Sequence, residues 1–176
     1  MTKIEFLTRF NCRPMDRAAL NRAMRNSHSA AVKQSKLPVY APNADTELVR
    51  DVVATLVTSM AVDYRKPVTG MRHMENIVAL ADLTSSIIGK HLYNGRFRIG
   101  TAQKALNLYL KYLWCADLVA LPPHCPIDYR ILQLAGVTGV KWTTVDDIDQ
   151  YAGWIERIRT VAGHQPIPMW ELGVWN

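Results

Sequence analysis

An all-α fold follows from two features of this sequence. Apolar residues recur at three- and four-residue spacing over most of the chain, and no convincing run alternates apolar with polar. Proline and glycine steps at Leu37-Pro38, Lys66-Pro67 to Gly70, Pro122-Pro123 and Gly136 cut the chain between these segments. At 49% apolar and 20% charged residues, the 176-residue chain has an ordinary soluble composition, neither disordered nor fibrous. That length fits one domain, residues 1–176, with a real core.

Residues 14–36 are helix formers with a basic face and stop before Pro38. Asn43 or Asp45 can cap a helix over about 46–64, in which Leu48, Val52, Leu56 and Met60 recur at fourfold spacing. A third helix, about 71–92, gathers Ile77, Leu80, Ala81, Ile87 and Ile88 on one side. The stretch from Thr101 to about Leu121 is apolar around most of its surface, which predicts the central core helix. Pro122-Pro123 ends it, and Pro126 suits the first turn of a helix over 127–135 that closes at Gly136. Thr143 or Thr144 is expected to cap the last helix, with Asp146, Asp147 and Asp149 near its positive end.

Charge is distributed in zones. Residues 1–36 carry +6, residues 90–111 carry +5 with no acid at all, and the rest of the chain is net negative. The first zone reads as a basic N-terminal arm. Two positive zones fit a polyanion, because phosphate neutralisation releases counterions; a solvated basic surface is the plainer alternative. Cys12, Cys115 and Cys125 have no pairing spacing and read as reduced, buried thiols of a cytoplasmic protein. The start carries charges throughout and lacks a secretory pattern, and no apolar run is long enough for a membrane span. No cofactor or metal set is expected. His28, His73, His91, His124 and His164 form no recognised ligand spacing, and capping explains Asp146, Asp147 and Asp149 more simply than a cation does.

The chemistry concentrates in residues 95–137. Gly95 and Gly100 bracket a tight, cationic connection, whose following helix start offers free N–H groups to a phosphate, with Arg96, Arg98, Gly100 and Thr101 as contacts. Lys104 and Lys111 lie two turns apart on one face with Leu108 between them. If that face is solvent, they are snorkelling lysines. If it lines a cleft, partial desolvation makes an amine there a nucleophile, and Lys111 a further DNA contact. Asp128 sits at the start of the next helix, where the dipole favours a carboxylate.

Ile99-Gly100-Thr101-Ala102-Gln103-Lys104, with Pro126-Ile127-Asp128 and then Ile131, Leu132, Leu134 and Gly136, resembles the helix–hairpin–helix superfamily of base-excision DNA glycosylases. The resemblance covers about residues 95–137. Ala102 stands where that family usually has a second glycine, and Asp128 follows Lys104 at a longer interval than is typical. The resemblance implies a helix–hairpin–helix element, double-stranded DNA with a damaged or modified base as partner, and base flipping followed by cleavage of the N-glycosidic bond. It implies Asp128 as the carboxylate that stabilises sugar charge and activates the attacking group, water or an amine. Lys104 would be that amine, forming a Schiff base that permits strand nicking. Repair and defence against modified phage DNA are both compatible with such an enzyme, acting as a monomer. Flat apolar walls for the base can come from five tryptophans, Trp114, Trp142, Trp154, Trp170 and Trp175, with Trp114 and Trp142 named as pocket candidates, although tryptophans more often serve the core. The competing expectations are a non-catalytic helical DNA-binding module and an interaction protein whose basic zones meet protein or RNA.

Overall fold

The computed structural model describes residues 1–33 and 37–175. Eight α-helices account for its regular structure: α1 (Lys3–Arg9), α2 (Arg17–Lys33), α3 (Thr46–Ala61), α4 (Gly70–Ile88), α5 (Ile99–Cys115), α6 (Tyr129–Leu134), α7 (Ile148–Ala162) and α8 (Ile167–Val174). Among the described residues the only β-type pairing is a single bridge between Tyr40 and Leu92. The all-α expectation holds. No described helix is long and apolar enough to cross a membrane.

The central position of α5 is as its composition predicts. Every one of its residues except Leu108 is buried, and α1, α2, α3, α4 and α7 pack around it. That burial includes the polar residues Thr101, Gln103, Lys104, Asn107 and Lys111, so the molecule encloses a polar interior along one helix. Asp45 caps α3, accepting the Leu48 N–H at 2.9 Å. Gly136, in the left-handed region at φ +70, closes α6.

Several local expectations change. In α3 the buried stripe is Val49, Val53, Val57 and Ala61, one residue on from the expected one; Leu48 is 39% exposed. Both stripes repeat every four residues, and the set of smaller side chains, three valines and an alanine, is the one buried against the neighbouring helices. Ile87 likewise faces outward while Ile88 is buried. Pro126 precedes α6 rather than entering its first turn, and Asp128 is the capping residue. Thr143 and Thr144 belong to a 3-10 turn, and Asp147 caps α7 through the Asp149 N–H.

The basic N-terminal segment is not an arm. Through residue 33 it forms two helices that bury Phe6, Leu7, Ala19, Ala23, Met24, Ser27, His28 and Ala31; residues 34–36 lie outside the described residues. A Thr2–Glu5 capping box starts α1. Its aromatic residues Phe6 and Phe10 pack with Tyr112 of α5 and with Trp175.

Candidate functional site

The structure turns the α4–α5 connection inward. Residues 89–98 run through two 3-10 turns, with Asn94 and Gly95 at positive φ, so the connection is no tight hairpin. Gly100 lies in the first turn of α5, where its N–H donates to the Val145 carbonyl at 2.8 Å. The Ile99 N–H donates to Asp146 Oδ1 at 3.0 Å. The amides proposed to hold a phosphate are therefore already used by the chain's own 142–146 segment.

The basic residues of this segment are occupied too. Arg98 is 8% exposed and donates to the Thr143 carbonyl at 2.9 Å and the Pro38 carbonyl at 3.1 Å. Arg96 pairs with Asp82 at 2.5 Å and Asp146 at 2.8 Å. Thr101 is fully buried. Arg96, Arg98 and Gly100 thus fasten the start of α5 to the body, and Thr101 is buried with them, which corrects their reading as phosphate contacts. Lys111 is corrected in the same way: it is 3% exposed and paired with Glu171.

Lys104 and Asp128 do come together. Lys104 Nζ donates to Asp128 Oδ2 at 2.8 Å, with side-chain exposures of 6% and 18%. Helix packing points Lys104 off α5 toward the start of α6. There the other carboxylate oxygen of Asp128 caps the helix by accepting the Ile131 N–H at 3.1 Å. Burial pushes the Asp128 carboxyl up. The charge and hydrogen bond of Lys104 and the amides of Ile131 and Arg130 outweigh it, holding the group below the ordinary value. Asp128 is thus a carboxylate at neutral pH.

A buried amide network fixes this pair. Gln103 clamps the peptide of Ile127, donating to its carbonyl at 2.8 Å and accepting its N–H at 3.1 Å. Asn107 donates to Gln103 at 3.2 Å and to Tyr151 at 3.2 Å, and accepts from His73 at 2.7 Å. Tyr64 and Asn76 complete one end, and His124, bonded to Tyr151 at 3.0 Å, the other. Burial lowers His73 to about 4 and His124 to about 2, so both are neutral. Sequence reading missed this network, although two amides and a lysine inside an otherwise apolar helix were a signal.

Asp128 stands on the wall between two cavities. The first, about 330 Å³, is lined by Lys104, Leu108, Lys111 and Tyr112 of α5, by Asp128 and Glu171, by Asn26, Ser29 and Lys33 of α2, and by Phe10 and Trp175. The α5 face bearing both lysines is therefore a cleft. The second, about 620 Å³, runs from Asp128 to Arg130 and along Gly139–Thr143. Both fall within the size range of small-ligand sites. Trp142 lines the second cavity, with its ring 5.8 Å from Lys104 Nζ. Trp114 lines neither; it packs beneath Lys3, 4.6 Å from that ammonium, so its reading as a pocket wall is corrected. Trp175 lines the first cavity instead.

Glu171 is the other residue that sequence reading missed. It is 2% exposed and accepts from Lys111 at 2.6 and 2.8 Å. Its signal was a lone carboxylate within the apolar run Ile167–Val174. Burial pushes its carboxyl up, and Lys111 opposes this. Among the described residues no group of three or more His, Cys, Asp or Glu side chains is placed to hold a metal ion. Cys12, Cys115 and Cys125 are buried free thiols. No family model matches this chain, and neither does any curated protein or solved structure.

Proposed function

We propose that the protein is a DNA N-glycosylase that accepts a flipped, damaged or modified base and cleaves its glycosidic bond. The observation that carries this reading is the nearly dry Lys104–Asp128 pair, 2.8 Å apart at the edge of two open cavities. Desolvating two charges is expensive, and a buried pair is weak support for stability. Such a pair facing a cavity is a candidate reacting centre on physical grounds.

Glycosidic cleavage leaves positive charge on the sugar, which the Asp128 carboxylate is placed to stabilise. The same oxygen accepts a proton from the attacking group. With the amine as nucleophile, Lys104 gives a proton to Asp128 and attacks C1′, and the C1′–N bond breaks. The base leaves with that electron pair and takes the proton from Asp128, which returns to a carboxylate. Ring opening, with a proton passing from the new ammonium to O4′, gives the Schiff base, and loss of a C2′ proton to Asp128 then expels the 3′ phosphate. With water as nucleophile, Asp128 takes the water proton and the product is an abasic site.

The phosphate backbone requires exposed cations, and in the α4–α5 connection Arg96 and Arg98 are tied down, which leaves Lys90 exposed there. Arg9, Arg13, Arg17, Arg25 and Lys33 on and around α1 and α2 are exposed, and Lys33 reaches the rim of the first cavity. These are the backbone contacts of this reading, and they draw on the sequence's first basic zone. Whether the enzyme serves repair or defence against modified phage DNA depends on which base it removes.

Duplexes carrying oxidised, deaminated, alkylated or hypermodified bases, incubated with the protein with and without borohydride, test the reading. Base release from at least one duplex is expected, and a trapped adduct identifies the amine route. Tight, salt-sensitive binding without release from any duplex would instead make the protein a non-catalytic DNA-binding module.

A further inference from the structure

The Lys111–Glu171 pair is the most costly feature of the molecule that the cleavage step does not use. Its side chains are 4% and 2% exposed, yet both line the first cavity. Each makes hydrogen bonds only to the other among the described residues. An ammonium has three donors and a carboxylate about four acceptor positions, so capacity on both remains unspent. Buried polar groups in folded proteins are ordinarily satisfied, and charged ones most of all.

The surroundings define what would satisfy them. Phe10, Tyr112 and Trp175 supply apolar and aromatic walls, and Asn26 and Ser29 add neutral polar groups from α2. Trp175 also takes Arg9 on its ring at 5.2 Å and Lys111 at 4.9 Å. Lys104 and Lys111 are two helical turns apart, about 10 Å along α5. One end of the cavity therefore holds the reacting pair, and the other holds a donor beside an acceptor.

We infer that this cavity takes the extruded base itself, and that Lys111 and Glu171 read a lactam edge, a ring carbonyl next to a ring N–H. The inference rests on the glycosylase reading for how the base arrives. The Lys111 ammonium donates to the carbonyl, and a Glu171 oxygen accepts the lactam N–H. The flat ring lies against Trp175. When the C1′–N bond breaks, the departing electron pair spreads onto that carbonyl, where a charge-assisted hydrogen bond from Lys111 stabilises it. Oxidised and deaminated purines and uracil-type pyrimidines present this edge. A base methylated at the lactam nitrogen has no hydrogen for Glu171 and places a methyl group against its carboxylate.

Saturation-transfer NMR on the full chain tests this with hypoxanthine and with 1-methyluracil, whose N1 methyl stands where the sugar is attached, each paired with its analogue also methylated at the lactam nitrogen, 1-methylhypoxanthine and 1,3-dimethyluracil. Both parent bases are expected to bind, with each methylated analogue at least tenfold weaker. Glu171→Gln and Trp175→Ala are each expected to weaken the parents at least tenfold. Glu171→Gln can misfold because it leaves Lys111 buried without its carboxylate, so Trp175→Ala, checked by circular dichroism, carries the test by itself. Equal binding of parent and methylated bases, or parent binding untouched in folded Trp175→Ala, overturns the inference. Modified duplexes separate the two readings. Base release by a protein that fails the NMR test overturns this pocket and leaves the glycosylase standing. Lactam binding without release from any duplex keeps the pocket and removes the glycosylase.

Discussion

Replacing Gly100 with alanine sets two physical effects against each other at one atom. In a helix interior, glycine to alanine is ordinarily stabilising by about 0.5–1 kcal/mol, since less backbone entropy is lost. At Gly100 the added Cβ would overlap the carbonyl oxygen of Trp142 and lie 3.0 Å from its carbon. Those are backbone atoms, and they cannot swing aside as a side-chain tip can. Relief means moving the 142–146 segment away from α5. That strains the Gly100–Val145 hydrogen bond of 2.8 Å, the Ile99–Asp146 bond of 3.0 Å and the Arg98–Thr143 bond of 2.9 Å. Overpacking costs about 1–3 kcal/mol and one weakened buried hydrogen bond about 1–3 kcal/mol. After subtracting the propensity gain, Gly100→Ala is expected to lose about 1.5–5 kcal/mol, a fall of roughly 3–20 °C in Tm for a chain of this size. Gly153→Ala is the control. It lies in α7 with nothing within 4 Å of its added Cβ, and should gain about 0.5–1 kcal/mol. Calorimetry on both variants decides the matter. If Gly100→Ala melts at or above the wild-type temperature, the packing reason for this glycine is wrong.

Other consequences follow from the buried charges and histidines. His73 and His124 stay neutral in the folded protein down to about 4 and about 2, whereas in the unfolded chain they take protons near pH 6.5. The unfolded state therefore binds more protons below that pH, and stability falls as pH drops from about 6.5 toward 4. The slope approaches about 3 kcal/mol per pH unit for the pair. Urea melts should show this, and a flat profile between pH 6 and 4.5 would contradict the neutral, buried assignment. Arg98→Ala is expected to destabilise by about 2–3 kcal/mol through the lost charge-assisted bonds to backbone carbonyls. The salt dependence of any DNA binding should stay as it was. Arg17→Ala and Arg25→Ala, by contrast, should leave stability alone while each lowers the salt slope of DNA binding by about 1. A lowered slope in Arg98→Ala would return that residue to the phosphate contacts.

Much of the helix pattern was legible because periodicity and punctuation agree. Asp45, one of two cap candidates, marked the start of α3, Gly136 the close of α6 and the apolar girth of α5 the centre of the core, but α5 ends at Cys115, several residues before the expected stop at Pro122-Pro123. The phase of α3 was not legible, since two neighbouring stripes repeat every four residues and only packing selects between them. Helix α1 is short and α8 interrupts its pattern with Glu171, so neither stood out. Lys104 and Asp128 were legible as a pair through motif resemblance, and their geometry follows from how α6 starts against α5. The roles of Arg96 and Arg98 were not, because a basic loop reads the same whether its partners are phosphates or its own carbonyls and carboxylates. Sequence shows the cations but not Asp82, Asp146, Thr143 and Pro38 converging on them. Glu171 was hidden for a related reason: its partner Lys111 lies sixty residues away.

The most direct test is single-turnover base release by the wild type and by Asp128→Asn on the best duplex of the panel. Asparagine keeps the size of the side chain and an oxygen to cap α6, but has no charge and accepts no proton. The pair's proposed role requires release to fall by about 10²–10⁴-fold in protein that circular dichroism shows to be folded and that still binds DNA, assayed below a Tm that the loss of the Lys104 partner lowers. Release by Asp128→Asn at the wild-type rate would show that the Lys104–Asp128 pair is not the reacting centre.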